Sequence, residues 1–216
     1  MPPMTERQAC MPVPLNPDGF NTQAQLPYGL QTQHVQAAMA DFLDFLGFVN
    51  QQLNTKGIQR LETMLMSANF SSIVGEFMSS TLPKYCPTIV KNKYHNGHPD
   101  LIPAGKYPND EAQHVTEGIE IKGSRYHRGW QGHNPENIWL MVFVFDSNRP
   151  KDTTPRSFRF ETVVGDQLTK NDWSFSGRST TSRRTITASV TDSGYQKMSA
   201  NWIYKAYISQ SSSNES

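Results

Sequence analysis

The sequence predicts an α/β (α+β) domain, in which a mixed β-sheet is flanked by helices and preceded by an N-terminal helical region. Two observations support this prediction. Apolar residues recur at helical spacing over residues 31–83, whereas apolar runs of strand length dominate residues 114–190. Helices followed mainly by strands in a chain of 216 residues are typical of one domain with one core, expected here over residues 31–208, with the sheet in residues 84–208.

The helical region contains three predicted helices. The first begins near Gln31, and its apolar residues follow a 4-3-4-3-4 spacing that places them on one face. This stripe consists of Val35, Met39, Phe42, Leu46, Val49 and Leu53. A second helix is expected from Ile58 to Ala68, and a third is expected to be capped by Asn69 and to end at Pro83. Core packing is the favoured role of the stripe, and a dimer seam is the alternative.

Four segments of the second half have the length and the apolar pattern of strands. They are HVTEGIEIKG (114–123), NIWLMVFVF (137–145), SFRFETVVG (157–165) and RTITASV (184–190). The second of these is apolar almost without interruption, which is typical of a strand in the centre of a sheet. The segment GYQKMSANWIYKAY (194–207) is expected to form a terminal helix.

The remaining segments are expected to be irregular. Residues 1–30 are rich in Pro, Gln and Asn and are interpreted as an N-terminal arm. Residues 84–113 contain several Pro and Gly residues around one short apolar segment, DLI (100–102), so loops are expected there. Residues 209–216 are rich in Ser and Asn, which predicts a flexible tail.

Composition restricts the classes of partner and of compartment. The formal net charge is +1, so a polyanion would have to bind a local basic patch. Two cysteines, Cys10 and Cys86, are too few for a disulfide framework, which favours a reducing compartment, with a single bridge as the alternative. Neither a signal peptide nor an apolar run near the roughly 18 residues of a membrane span is recognised, so a cytoplasmic protein with no membrane partner is expected.

A carboxylate and an amine share one face of the first predicted strand. Glu120-Ile121-Lys122 is the only acidic-x-Lys triplet in the chain, and strand alternation places Glu120 and Lys122 on the side opposite to Ile121. Asp100 follows Pro99 at the head of the DLI segment, 20 residues upstream of Glu120. One explanation of the pair is an exposed ion pair on an edge strand. The other is a metal-dependent phosphodiesterase site.

The second explanation is chemically complete. Mg²⁺ in proteins takes oxygen ligands, commonly one or two carboxylates together with waters and phosphate oxygens. Asp100 and Glu120 would supply the carboxylates, and the backbone carbonyl of Ile121 would add a third ligand. Lys122 would position or deprotonate the attacking water, or neutralise the charge that builds up on phosphorus.

The pattern Pro-Asp … Glu-Ile-Lys resembles the PD-(D/E)xK motif of the nuclease superfamily that includes type II restriction endonucleases. The resemblance covers roughly residues 70–190. It implies a restriction-endonuclease-like sheet, Mg²⁺ held by Asp100 and Glu120, and Lys122 serving the attacking water. Some members of that family place another carboxylate on the preceding helix, for which Glu76, next to Gly75, is the candidate here; a half-exposed helix residue is the alternative for Glu76.

Histidines add candidates around this site. His98 precedes the Pro-Asp pair and is a candidate for contact with a metal-bound water, with an ordinary loop residue as the alternative. His95 and His98 lie in a loop without an accompanying Cys pair, so zinc is not expected. His127 and His133 lie in a basic segment and are expected to face nucleic acid.

Two segments have the chemistry of DNA contacts, because they combine cations with amides, hydroxyls and glycines. The first contains Ser124, Arg125, Arg128, Gln131, His133 and Asn134. The second contains Lys170, Arg178, Ser179, Thr180, Arg183 and Arg184. In the first segment, Gly123, Gly129 and Gly132 would permit close backbone approach. Solvated turns are the alternative for either segment.

The functional expectation is a Mg²⁺-dependent, site-specific endodeoxyribonuclease resembling type II restriction enzymes, in a prokaryotic cytoplasm. Its substrate would be double-stranded DNA with a short recognition sequence. A homodimer is expected, because two-fold symmetry matches a palindromic site. A cognate methyltransferase in the host would be a functional rather than a physical partner. The alternatives are a structure-specific or repair nuclease of the same fold, and a non-catalytic DNA-binding module.

Overall fold

A computed structural model describes residues 3–132, 134–175 and 187–207. Their helices are α1 (Glu6–Ala9), α2 (Thr32–Thr55), α3 (Leu61–Met64), α4 (Ser67–Tyr85) and α5 (Asp192–Ala200). Their strands are β1 (Ile89–Lys91), β2 (Leu101–Pro103), β3 (Ile119–Ser124), β4 (Gln131–Gly132), β5 (Ile138–Asp146), β6 (Arg159–Leu168), β7 (Trp173–Phe175), β8 (Ala188–Val190) and β9 (Trp202–Lys205). Short 3-10 helices occur at Pro17–Gly19, Pro108–Asp110 and Lys170–Asp172.

The main sheet is mixed but mostly antiparallel, and helices flank it. Its strand order is β1-β2-β3-β5-β6-β9, and β3 and β5 form its parallel pair. β5 lies between β3 and β6 and is buried from Ile138 to Phe145, which confirms the central strand predicted from its continuous apolar run. A second, three-stranded sheet has the order β4-β8-β7.

Each face of the main sheet carries its own core. On one face, the α2 stripe and residues of α4 pack against inward side chains such as Ile121, Met141 and Phe143. On the other face, Leu140 and Val142 pack against the small sheet and α5. Because β-strand side chains alternate, Glu120 and Lys122 leave β3 on this second face.

The first predicted helix and its stripe agree with α2. Val35, Met39, Phe42 and Leu46 are fully buried, so the core-packing role of the stripe is confirmed and those four residues offer no dimer seam. The second predicted helix, Ile58 to Ala68, was wrong, because only Leu61–Met64 forms a separate helix there and residues 67 and 68 already belong to α4. Before it, the buried Arg60 bonds to Glu6, Glu62 and the carbonyl of Arg156, and these contacts hold the chain out of a helix.

The third helix is longer than predicted at both ends. α4 begins at Ser67 rather than after Asn69, and it continues through Pro83 to Tyr85. Pro83 lies in the last turn, where the N–H of Cys86 still bonds to the carbonyl of Leu82 at 3.1 Å. A proline this close to the end removes one bond of the ladder without stopping the helix.

Three irregular or terminal predictions also need correction. The N-terminal arm contains α1 and packs against β9, where the N–H of Asn16 donates to the Tyr204 hydroxyl at 3.1 Å. The loop region 84–113 contains β1 and β2, which pair with each other. The predicted terminal helix is divided into α5 and β9, because residues 202–205 complete the edge of the main sheet against β6. Of the segment 184–190, residues 184–186 lie outside the described residues, as does the tail 209–216.

Within the described ranges, no helix is both long enough and apolar enough to cross a membrane.

Candidate active site

A strand hairpin brings Asp100 to the Glu-x-Lys triplet. β2 and β3 pair antiparallel with Leu101 opposite Ile119, and Asp100 directly precedes β2. Its Oδ2 atom accepts a hydrogen bond from the backbone N–H of Ile121 at 2.8 Å. The carboxylate of Asp100 is therefore fixed against the middle of the strand that carries Glu120 and Lys122.

Glu120 and Lys122 form a largely buried ion pair. The Nζ atom of Lys122 donates to Oε1 of Glu120 at 2.9 Å, and their side chains are 24% and 15% exposed, respectively. β2 pairs with β3 only at Leu101 and Ile119, so from Glu120 onward this side of β3 has no strand partner and faces a cleft. The two side chains are nevertheless largely buried, so an exposed ion pair does not describe them.

His98 occupies the other oxygen of Glu120. Its Nδ1 atom lies 3.1 Å from Oε2 of Glu120. Its Nε2 atom lies against Oε2 of Glu136, close enough for an ion pair but without hydrogen-bond geometry. Glu120 thus has a cationic partner on each carboxylate oxygen, Lys122 on one and His98 on the other.

These contacts move the pKa values of three groups apart. Burial, together with the charge of Glu120, raises the pKa of Asp100 to about 7. Burial alone would raise the pKa of Glu120, but contacts with His98 and Lys122 outweigh it and lower the pKa well below the usual range. Burial alone would lower the pKa of His98, but Glu120 and Glu136 reverse this and raise it to about 9. Perturbed groups gathered in one cleft are typical of functional sites.

Asp100, Glu120 and Lys122 line an open cleft of about 350 Å³. The opposite wall is formed by one face of α4, including Gly75 and Glu76. The structure thus brings Glu76 to the cleft, where its carboxylate accepts a bond from Lys91 at 2.8 Å and its side chain is 68% exposed. Its charge also raises the pKa of Asp100, as the smallest of the contributions.

The donor set of the cleft fits Mg²⁺. Asp100 and Glu120 supply hard carboxylate oxygens, and the carbonyl oxygen of Ile121 is 3.5 Å from where a Cβ atom on Gly75 would be. In the described part of the chain, no three His, Cys, Asp or Glu side chains converge into a metal-binding group. Two carboxylates and a carbonyl leave room for waters and phosphate oxygens, as Mg²⁺ requires. Burial, and after it the charge of Glu120, raises the pKa of Asp100, and a bound cation would favour its ionised form.

A larger groove of about 860 Å³ continues from the cleft. The two share wall residues, among them Lys122 and Gly123. Four of the predicted DNA-contact residues line this groove: Ser124, Arg125, Arg128 and Gln131. The first basic segment therefore leads directly from the candidate catalytic residues along one continuous surface.

Side chains that line the groove differ in how far contacts within the protein restrain them. The guanidinium of Arg125 donates to the carbonyl of Ser147 at 2.8 Å and lies over the rings of Phe70 and Phe145. These contacts give Arg125 a structural role. Arg128 is exposed and lies over the Tyr195 ring at 4.4 Å.

Gln131 is exposed on β4, where it pairs with Ser189 of β8. Its backbone is therefore part of a sheet, although its side chain is accessible. Ser124 is half-buried at the end of β3, and its hydroxyl donates to the carbonyl of Tyr126 at 3.0 Å.

The other predicted DNA contacts lie outside this groove. Asn134 and Lys170 line another cleft, of about 280 Å³, together with His114, and Asn134 also lines a small space beside His98 and Glu120. His127 is exposed, and its Nε2 atom lies 2.8 Å from a carboxylate oxygen of Glu161. Predicted contacts outside the described residues are His133, Arg178, Ser179, Thr180, Arg183 and Arg184.

Two glycines of the first segment serve packing within the protein. A Cβ atom on Gly123 would lie 2.5 Å from the carbonyl oxygen of Ser71, so Gly123 lets α4 approach β3. A Cβ atom on Gly132 would lie 3.1 Å from the Trp173 ring. Gly129 has φ +69° with open space around it, which suits a turn.

Sequence reasoning missed two residues of this site. Glu136 lies in the sequence NPEN, which resembles an ordinary loop, and Lys91 lies in a region expected to be irregular. Glu136 reaches the site through the parallel pairing of β3 with β5, and Lys91 through the pairing of β1 with β2, so no local pattern in the sequence indicates either residue.

Comparison of the chain with protein-family models, with curated proteins and with solved structures found no match.

Proposed function

We propose that this protein is a Mg²⁺-dependent endodeoxyribonuclease of the PD-(D/E)xK type that cleaves double-stranded DNA at a short recognition sequence, as type II restriction enzymes do. One observation carries the proposal. The hydrogen bond between Asp100 and the N–H of Ile121 joins the Pro-Asp element to the Glu-x-Lys strand in a single cleft. The carboxyl group of Asp100 and the Glu120–Lys122 pair thus lie together, and this closeness supports the proposal.

Asp100, Glu120 and the carbonyl of Ile121 would hold the Mg²⁺. When bound, Mg²⁺ would polarise a phosphate oxygen and lower the pKa of a coordinated water. Lys122 lines both the cleft and the groove, so its ammonium group can orient an attacking water or neutralise charge on the scissile phosphate. Its bond to Glu120 keeps the ammonium at the metal-binding end of the cleft.

The groove beyond Lys122 would hold the duplex. A net charge of +1 gives little long-range attraction, so phosphate contacts must come from local cations, and Arg128 is an exposed one in this groove. Gln131 has paired donor and acceptor atoms that suit an adenine edge in the major groove. Its position on a paired strand would hold it in a defined register along the groove.

Cleavage of both strands of a palindrome would require two copies of the active site, which a homodimer supplies. The buried part of the α2 stripe belongs to the core, so the proposed dimer would have to form through another surface of the protein. A cell that contained such an enzyme would need a methyltransferase to protect its own copies of the recognition sequence.

The proposal is tested by incubating the protein with phage-length duplex DNA in Mg²⁺ or in EDTA. The variants are Asp100→Asn and, as a matched control, Asp44→Asn at an exposed position of α2. Discrete fragments that require Mg²⁺, disappear in Asp100→Asn and persist in Asp44→Asn are expected. A smear with the same dependences would favour the structure-specific nuclease. A gel shift without cleavage in Mg²⁺ would favour the binding module.

A further inference from the structure

The segment between β4 and β5 links the groove to the metal-binding carboxylates. β4 includes Gln131, which lines the groove, and the described residues of the segment, 134–137, end just before Ile138 at the start of the central strand. Glu136 lies in this segment, and its carboxylate contacts Nε2 of His98. The opposite nitrogen of the same ring, Nδ1, lies 3.1 Å from Glu120. One imidazole therefore stands between a residue of the groove segment and a proposed metal ligand.

The backbone of His98 is held independently of these carboxylates. Its N–H donates to the carbonyl of Gln113 at 3.1 Å, and its carbonyl accepts from the N–H of Val115 at 2.9 Å. Its ring stacks on that of His114, with centroids 5.2 Å apart and planes inclined by 19°. The imidazole thus has a fixed base from which to orient other groups.

We infer that His98 is a positioning residue: its Nδ1 atom fixes the carboxylate of Glu120 for metal binding, and Glu136 fixes the ring from the other side. The inference rests on the proposed function in that it takes Glu120 to be a metal ligand. A second partner that orients a metal ligand commonly affects metal affinity or activity by roughly 10- to 100-fold. Lys122 already occupies Oε1, so His98 supplies the contact that fixes the remaining oxygen.

This arrangement also couples DNA contact to the metal site. A duplex that displaces residues 134–137 would move Glu136, and Glu136 would move the imidazole that orients Glu120. The small space between these groups is lined by Glu120, Glu136 and His98 together with Asn134, one of the predicted DNA contacts. DNA that binds against Asn134 would therefore change the position of Glu120 through two contacts, that of Glu136 with His98 and that of His98 with Glu120.

Three substitutions of His98 separate positioning from charge. The side-chain amide nitrogen of Asn occupies about the place of Nδ1, whereas that of Gln occupies about the place of Nε2. His98→Asn, His98→Gln and His98→Ala all remove the same ionisable ring, so differences among them report the lost contact and not the lost charge. Mn²⁺ alone, which accepts the same oxygen ligands as Mg²⁺, is titrated into each variant and followed by electron paramagnetic resonance without DNA.

We expect His98→Asn to bind Mn²⁺ with roughly tenfold higher affinity than His98→Gln and His98→Ala. Thermal unfolding of each variant in EDTA checks that the fold is kept. Equal affinities in the three variants, or tightest binding in His98→Gln, would overturn the positioning role. Absence of Mn²⁺ binding to the unmodified protein would also overturn it.

Glu136 supplies a second route to the same conclusion. If Glu136 acts through His98, Glu136→Ala weakens Mn²⁺ binding in the unmodified background and has no further effect in the His98→Ala background. The matched control is Glu111→Ala, which removes an exposed carboxylate from the neighbouring loop and should change neither value. Equal, additive effects of Glu136→Ala in both backgrounds would overturn the link.

Failure of the inference and failure of the proposed function give different results. A protein that binds Mn²⁺ in the expected order but cleaves no DNA would keep the positioning role and lose the nuclease proposal. A protein that cleaves DNA while the three His98 variants bind Mn²⁺ equally would keep the nuclease proposal and lose the positioning role.

Discussion

The carboxylate of Asp100 accepts a hydrogen bond from the backbone N–H of Ile121 at 2.8 Å, across the antiparallel pair formed by β2 and β3. This bond lowers the pKa of Asp100, but burial and the nearby charge of Glu120 outweigh it. A carboxylate held in place against its own electrostatic cost is typical of a site built for a ligand rather than for stability.

Asp100→Asn should therefore abolish metal-dependent cleavage yet stabilise the metal-free protein. The Asn amide oxygen can still accept from Ile121, while the buried charge is removed. At pH 8 in EDTA, the free energy of unfolding should rise by an amount on the order of 1–3 kcal/mol, as measured by urea denaturation. The control Asp44→Asn should change little. A less stable Asp100→Asn would show that the ionised carboxylate contributes to the fold.

The stability of the metal-free protein should fall as pH rises from about 5 to 9. Burial raises the pKa of Asp100 to about 7, so its contribution is lost as pH rises toward that value. Burial alone would lower the pKa of His98, but its two carboxylate partners raise it to about 9. Its contribution to stability is therefore complete below pH 6.5 and is lost as pH rises through 9. The lowered pKa of Glu120 matters only at more acidic pH.

Urea midpoints in EDTA at pH 5, 7 and 9 measure this dependence. His98→Asn should flatten the change between pH 7 and pH 9 and leave the change between pH 5 and pH 7. A midpoint that rises over the whole range, in a protein that remains folded, would contradict the electrostatic description of the cleft.

Gly75→Ala should separate stability from metal binding. An added Cβ atom would lie 3.5 Å from the carbonyl oxygen of Ile121, an ordinary contact that the fold tolerates. Ala in a helix interior is favoured over Gly by about 1 kcal/mol, so unfolding should become harder. The methyl group would occupy space beside the Ile121 carbonyl oxygen where the proposed Mg²⁺ and its waters bind, so the Mg²⁺ concentration for half-maximal cleavage should increase several-fold.

Gly47→Ala is the matched helix-interior control, because Gly47 lies in α2 against Pro12, away from the cleft. It should leave the Mg²⁺ requirement unchanged. An unchanged Mg²⁺ requirement in Gly75→Ala would remove the Ile121 carbonyl from the proposed ligand set.

Arg128 and Gln131 should affect DNA recognition differently. Arg128→Ala should weaken binding to all sequences and reduce the slope of log affinity against log salt by about 1. Gln131→Ala should instead lose roughly 1–3 kcal/mol of discrimination at one base pair. Fluorescence anisotropy in EDTA over a salt series measures both, with Lys84→Ala at the exposed end of α4 as control. Equal losses on all sequences in both variants would remove Gln131 from base reading.

Local patterns predicted the elements that local physics determines. The alternation of residues 119–122 predicted that Glu120 and Lys122 share one face of their strand. The apolar stripe predicted which face of α2 packs against the core. The nearness of Asp100 could be proposed because only a hairpin separates it from β3. The β4-β8-β7 sheet was not predicted, since its strands are two or three residues long and their pairing depends on tertiary register.

Contacts between segments that are distant in the sequence could not be predicted from local sequence patterns. Glu136 meets His98 only because the parallel pairing of β3 with β5 returns the chain to the same end of the sheet. Likewise, the inward position of Arg125 depends on the rings of Phe70 and Phe145, which come from α4 and β5. From the sequence alone, an arginine in a basic segment predicts a DNA contact whether its side chain points inward, as that of Arg125 does, or outward.

The most direct test of the central claim is cleavage of duplex DNA in ¹⁸O-labelled water with Mg²⁺, followed by mass spectrometry of the fragment ends. Attack of water on phosphorus at the Asp100–Glu120–Lys122 cleft predicts one ¹⁸O atom on each new 5′-phosphate, unlabelled 3′-hydroxyl ends, and no product in EDTA or with Asp100→Asn. Intact DNA in Mg²⁺, or label on 3′-phosphate ends, would contradict the account.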